Sequence, residues 1–188
     1  MSVLRPLLLS SAVLLLSACV TTSPVEPPVQ GIDGVACVGE APLSVPGLQL
    51  ASDYSLQAKA QLPSGKGGVC DAQVFKAVDE VVVYRVYDGS KPWSAFGGWW
   101  SLERPQGPRS EYARDNAICP EWSALDQLVT CRIKAGSEVV LGTTQDVTCA
   151  DGQLLKKNAN VQVFMANDSR SGVLQVDSCA LRGAWPQP

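Results

Sequence analysis

The chain has 188 residues, 46% hydrophobic and 18% charged, with a formal net charge of −3, seven cysteines and no histidine. That balance suits one globular domain and gives no basic footprint for nucleic acid. The missing histidine removes Ser-His-Asp and Cys-His nucleophiles, His-ligated metals and the usual proton shuttle near neutral pH, so any chemistry must rest on arginine, carboxylates, amides and aromatics.

Residues 1–18 carry one positive charge at Arg5, an apolar run broken by Ser10 and Ser11, and small residues ending in Ala18. The run is shorter than the roughly 20 apolar residues of a spanning helix and has the layout of a secretory signal peptide. Leu16-Ser17-Ala18-Cys19 resembles the lipobox of bacterial lipoproteins. The resemblance implies cleavage before Cys19 and acylation there with palmitate-type chains; one chain holds marginally, several hold firmly. Val20 stands where a retention aspartate would, which implies the outer membrane, with the domain facing the periplasm or displayed at the surface. Residues 19–34, with Pro24, Pro27 and Pro28, read as an extended tether. Residues 35–188 are left for the folded domain.

Setting Cys19 aside leaves Cys37, Cys70, Cys119, Cys131, Cys149 and Cys179, an even set in an exported chain. Three disulfides are expected, with connectivity open among fifteen pairings. No C-x-x-C spacing suggests a redox pair or a zinc ribbon, carboxylates are not clustered at calcium-loop spacing, and no metal is expected.

In chain order, residues 48–50 suggest a short strand, and Ser64 to Gly68 (SGKGG) a turn without phosphate-loop spacing. Asp71 is placed to cap a short helix with Val74, Phe75 and Val78 on one face. Residues 79–88 (DEVVVYRVYD) are the clearest strand: Val81, Val83, Arg85 and Tyr87 share one face, and Val82, Tyr84 and Val86 the other. Both faces are largely apolar, so Arg85 needs a partner, and Asp88 or Glu103 is the expected carboxylate.

Residues 91–102 (KPWSAFGGWWSL) bring together Trp93, Trp99 and Trp100. Gly97-Gly98 permits a turn or a close approach, and the tryptophans suit either core packing or a stacking platform beside a ligand. Residues 109–118 read as a helix with Tyr112 and Ala113 inward along with Asn116 or Ala117, ended by Pro120. Residues 128–134 and 137–141 read as a hairpin about Ala135-Gly136, and strands are expected at 147–149, 161–166 and 173–176 with 179–181. The expected architecture is α+β: one strand-rich domain with a mainly antiparallel sheet, one or two short helices and three disulfides.

The succession Val-Tyr-Arg-Val, Gly-Gly-Trp-Trp-Ser, an Arg/Tyr helix, Gly-Ser-Glu-Val-Val-Leu-Gly and Val-Gln-Val-Phe, over residues 82–166, resembles the ADP-ribosyltransferase fold and related NAD glycohydrolase toxins. The resemblance implies that Arg85 grips the NAD phosphates, that Trp93, Trp99 or Trp100 stacks near the nicotinamide, and that Gln162 assists glycosidic cleavage. The late strand has no Q-x-E or E-x-E pair, and no Ser-Thr-Ser signature is evident.

Three roles are therefore expected to compete. The first is a cofactor-free, non-catalytic envelope lipoprotein that binds a protein or glycan at the aromatic patch. The second is an NAD-directed enzyme, and the third a purely structural envelope protein. Oligomeric state is open. Arg85, Trp99 and Gln162 converging on one pocket would favour the second.

Overall fold

A computed structural model describes residues 27–186. The signal segment, the lipobox with Cys19 and most of the tether lie outside the described residues. Among the described residues, no helix is long and apolar enough to cross a membrane.

Strand β1 (Leu48–Leu50) leads into helix α1 (Tyr54–Ala60), whose N-terminus is capped by the Asp53 carboxylate accepting from the Leu56 N–H at 2.9 Å. Then follow β2 (Val69–Ala77), β3 (Val82–Tyr87), a 3-10 turn (Pro92–Phe96), β4 (Trp99–Trp100) and α2 (Arg109–Asp115). The C-terminal half is β5 (Gln127–Ile133), β6 (Glu138–Thr144), β7 (Val147–Thr148), β8 (Leu154–Leu155), β9 (Val161–Phe164) and β10 (Val176–Ala184).

These strands form a five-stranded sheet, β1-β2-β6-β9-β4, a three-stranded sheet, β10-β5-β3, and a small β7-β8 pair. Among the described residues, the pairings between these strands are antiparallel, beside one isolated parallel bridge from Gln61 to Val69 of β2. The two larger sheets meet at one seam, where Tyr84 of β3 and Ser101, just after β4, exchange backbone hydrogen bonds of 2.9 and 2.8 Å. The expected α+β, strand-rich domain with two short helices and three disulfides is what the structure shows.

The main core fills the space between the sheets. Phe75, Val139, Leu141 and Val163 of the larger sheet meet Val83, Val129, Cys131 and Ile133 of the smaller, with Trp100 and Met165 closing one side. Helix α1 covers the outer face of the larger sheet, setting Leu56 and Ala60 on Val69, Ala72, Val74 and Val140. On the outer face of the smaller sheet, Val86 and Leu128 pack with Leu125 and Trp185, beside Tyr112 and Ala113 of α2. The alternation expected of β3 is thus realised, with Val81, Val83 and Tyr87 in one core and Val86 in the other.

Two expectations about elements need correcting. Residues 71–78 are not a capped helix: they continue β2, paired over its length with β6, and Val78 lies exposed beyond its end. The spacing of Val74, Phe75 and Val78 fits a helical face, but this strand packs on both faces, so both Val74 and Phe75 are buried. Residues 127–144 are not a hairpin either. A tight turn with Gly136 at φ 83° is present, but β5 pairs with β3 and β10 while β6 pairs with β2 and β9, so the turn carries the chain from one sheet to the other. Helix α1 carries no strong apolar period and was not anticipated.

The disulfides are Cys37–Cys70, Cys119–Cys149 and Cys131–Cys179. The first ties the N-terminal arm to β2. The second ties the segment after α2 to the end of β7, and the third crosses from β5 to β10.

Candidate functional site

Arg85 points inward from β3 at the seam. Its Nε donates to the Ser94 carbonyl at 2.7 Å and its Nη1 to the Trp99 carbonyl at 2.6 Å. The expected carboxylate partner is absent among the described residues. Asp88 is taken by Lys91 at 3.1 Å and by the Ser90 hydroxyl at 2.6 Å, and Glu103 forms no ion pair among them. The reason is direction: Arg85 faces the inter-sheet space, whereas Asp88 lies past the end of β3 in the following turn.

A guanidinium held only by neutral carbonyls keeps its full charge to offer. Burial pulls its pKa down, with the neighbouring Tyr112 acting the other way. Its electrostatic demand is for an anion. Gly97 makes the placement feasible, because a Cβ there would lie 2.5 Å from Nη2 and 2.8 Å from Cζ of Arg85. The close approach permitted by Gly97-Gly98 is therefore an approach by Arg85. The Gly97 carbonyl in turn accepts from the Trp100 indole N–H at 2.7 Å and from the Asn167 amide at 3.1 Å.

The guanidinium opens on a cavity of about 150 Å³, whose wall includes Arg85, Trp99, Trp100, Tyr112, Trp122 and Gln162. Trp99 packs against Phe164 at 4.9 Å between ring centres, and Trp100 is almost fully buried. Gln162, buried on β9, donates its amide N–H to the Thr144 hydroxyl at 2.9 Å. Its rotamer is thereby fixed from the far side. Tyr112 is held by the Ser101 hydroxyl and the Val86 backbone beside Arg85; burial pushes its phenol up, and these contacts and the Arg85 charge oppose that.

A second, larger cleft of about 660 Å³ adjoins the first, since Tyr112 and Asn116 line both. Its wall carries Glu103, Glu111, Asp115 and Asn160. The Asn160 side-chain amide donates to the side-chain Oδ1 of Asn116 at 3.0 Å, tying β9's approach to the end of α2.

Of the candidates named from sequence, Arg85, Trp99, Trp100 and Gln162 converge on one cavity, and Trp93 does not line it. Trp93 is half exposed on the 3-10 turn, where its carbonyl accepts from the Ser169 hydroxyl at 3.1 Å. Tyr112 was legible as an inward-facing helix residue but not as a wall of the site. Asn116 was likewise legible only as an inward candidate of that helix, whose C-cap it is, and Trp122 was not legible as a site residue, because a loop crossing gives no periodic signal.

Cys119, Glu121 and Cys149 lie close enough together to resemble a metal-ligating group. The two sulfurs are bonded to each other, and the Glu121 carboxylate accepts from the Ala150 N–H at 2.9 Å, so these residues do not fit a metal. No family model matches the chain, and neither a curated protein nor a solved structure matches it. Function therefore rests on the chemistry of the cavity itself.

Proposed function

We propose that the chain is an exported, lipid-anchored envelope protein, attached through Cys19 to the outer membrane, whose folded domain binds a small ligand at the Arg85 cavity. The observation that carries this is a partly buried guanidinium with no carboxylate partner among the described residues, opening on a cavity beside Trp99 and Gln162. A cavity of about 150 Å³ is known to take one benzene-sized ring. The chemistry that fits is a planar ring bearing an anionic group: indole surfaces face the ring, the Gln162 amide is available to a polar substituent, and Arg85 meets the charge. A discrete cleft of this kind speaks against a purely structural role.

The same convergence favours an NAD-directed reading in particular. The nicotinamide ring matches the small cavity in size, the phosphates of the nucleotide are the anion that Arg85 would meet, and the adjoining cleft has room for the rest of a dinucleotide. No carboxylate lines the small cavity among the described residues; the nearest available to a ligand spanning both are Glu103, Glu111 and Asp115 in the larger cleft. Cleavage would then depend on Gln162 and the electrostatics of Arg85, and binding without turnover is the simpler outcome.

Titration of the oxidised protein with NAD and with nicotinamide mononucleotide, followed by tryptophan fluorescence and by chromatography of the nucleotide, tests both readings. Saturable quenching lost in Gln162→Ala and Trp99→Ala supports the site, and nicotinamide release supports an enzyme. If neither nucleotide binds, the NAD reading is wrong. If, in addition, Trp99→Ala leaves capture of an envelope partner unchanged, the binding role at this cavity fails too.

A further inference from the structure

We propose that the outer face of the β10-β5-β3 sheet carries a second anion site, a groove for a phosphate-bearing ligand, separate from the Arg85 cavity. The groove, of about 370 Å³, is lined by Val82, Tyr84, Arg104, Thr130, Cys131, Arg132, Ser178, Ala180 and Arg182. Three arginines and two aliphatic hydroxyls line it, and among the described residues no carboxylate does, in a chain whose net charge is −3. Arg132 is already offset by Glu80, and the charge without an ion pair or hydrogen bond among the described residues is that of Arg104, which an anion seated beside Arg132 and Arg182 would meet.

Register explains how the groups come together. Tyr84 and Ala180 both stand opposite Thr130, and Val82 and Asp177 both stand opposite Arg132, so the outer side chains of β3, β5 and β10 form two adjacent rows. The β10 pairing slips between Asp177 and Ala180, and Ser178 takes φ 46° there. Such a bulge re-aims side chains, and here it brings Ser178 to the groove wall. Arg104 reaches in from the loop that follows the seam, with no ion pair or hydrogen bond among the described residues. Arg182 donates to the Thr130 hydroxyl at 3.4 Å. At the other end, Arg132 pairs with Glu80 at 3.0 Å, both about half exposed, and Asp177 is its cross-strand neighbour.

The occupant follows from these donors. Several guanidinium forks with neighbouring hydroxyls suit a tetrahedral, multiply charged oxyanion, whose oxygens accept from more than one arginine at once, better than a single carboxylate. A phosphate monoester or diphosphate has that chemistry, whether carried by a soluble metabolite or by a lipid headgroup.

The test uses the full chain with NMR detection of the arginine Nε–H groups. The probes are inorganic pyrophosphate, dihexanoylphosphatidic acid, a lipid phosphate monoester, below its micelle concentration, and dihexanoylphosphatidylcholine as the zwitterionic comparison. Saturable shifts at Arg104, Arg132 and Arg182 with pyrophosphate, weakened at least tenfold in Arg104→Gln/Arg182→Gln, support a soluble source. The same behaviour with phosphatidic acid alone supports a lipid source. Shifts confined to Arg85, no shift with any probe, equal shifts with phosphatidylcholine, or binding unchanged in the double variant would overturn the groove. Near-ultraviolet circular dichroism checks that the variant is folded, and single substitutions replace it if it is not. Because Arg85 is read separately in each titration, failure of the groove and failure of the cavity are distinguishable.

Discussion

Arg85 is held by two backbone carbonyls, and those carbonyls depend on it in return. Replacing it with methionine keeps much of the apolar stem but leaves the Ser94 and Trp99 carbonyls without their donor in a poorly hydrated place. An unsatisfied buried acceptor costs about 1–3 kcal/mol, partly relieved here by water entering the cavity. Arg85→Met should therefore lower stability by about 2 kcal/mol in urea unfolding and abolish anion binding in the cavity. Gly97→Ala should weaken that binding with Arg85 still present, because the new methyl displaces the guanidinium. Asp88 makes a different prediction at this scale. The Ser90 hydroxyl and then Lys91 hold its carboxyl at about 2, against an ordinary value of 3.8. A carboxyl lowered on folding adds stability that is fully present above the ordinary value and lost as pH falls toward the folded one. Urea midpoints should fall between about pH 4 and 2. Asp33 and Asp168 are lowered as well, so the fall should be shallower, not absent, in Asp88→Asn.

Helix α2 has seven residues, too few to stand alone, so its position must come from what grips it. Arg109 donates twice to the Trp185 carbonyl, at 3.1 and 2.9 Å, and Tyr112 meets the Trp185 ring edge-on at 5.1 Å. Trp185 itself is buried against Val86, Leu125 and Leu128. A residue near the C-terminus thus sets the helix that walls both clefts. Trp185→Ala should cost about 3–5 kcal/mol by thermal unfolding. It should also weaken ligand binding at the cavity beyond any loss from unfolded protein, as measured at a temperature where the variant is folded. Elements of this kind also mark the limits of sequence reading. Strand β3 was legible because its Val and Tyr run has a two-residue period, and α2 because its helical composition sits between prolines. The two errors, at residues 71–78 and in the turn about Gly136, arose where the outcome depends on which distant strand pairs. Both Val74 and Phe75 are buried on opposite faces of one sheet, a pattern that local periodicity assigns as readily to a helix. In the site, Arg85, Trp99, Trp100 and Gln162 stood out by residue type on recognisable strands. Asn116, an inward candidate of the helix, caps α2 at the cavity, whereas Trp122 reaches it through the loop that follows α2 and Arg104 reaches the outer groove from another loop; neither loop placement is written in local pattern.

At the scale of the whole molecule, three disulfides close loops of 33, 30 and 48 residues. The chain-entropy relation gives each about 4 kcal/mol through the unfolded state, before any native strain. Similar loop lengths mean similar expected losses of stability, yet the three bonds do not hold the same thing. Cys119 lies in the segment whose Ala117, Ile118, Trp122, Ser123 and Leu125 wall the Arg85 cavity, and Cys149 anchors that segment to the end of β7. Cys131–Cys179 joins two strands that are already paired over most of their length and lies at the outer groove. Replacing either pair with alanine should lower the melting temperature by about 10 °C. Below both transitions the variants should part: Cys119→Ala/Cys149→Ala should lose affinity for a ring-bearing anion such as nicotinamide mononucleotide, and Cys131→Ala/Cys179→Ala should keep it. Equal affinities in the two folded variants would mean that packing of Ile118 and Trp122 suffices to hold the wall, and that the Cys119–Cys149 bond contributes stability to this domain without shaping its cavity.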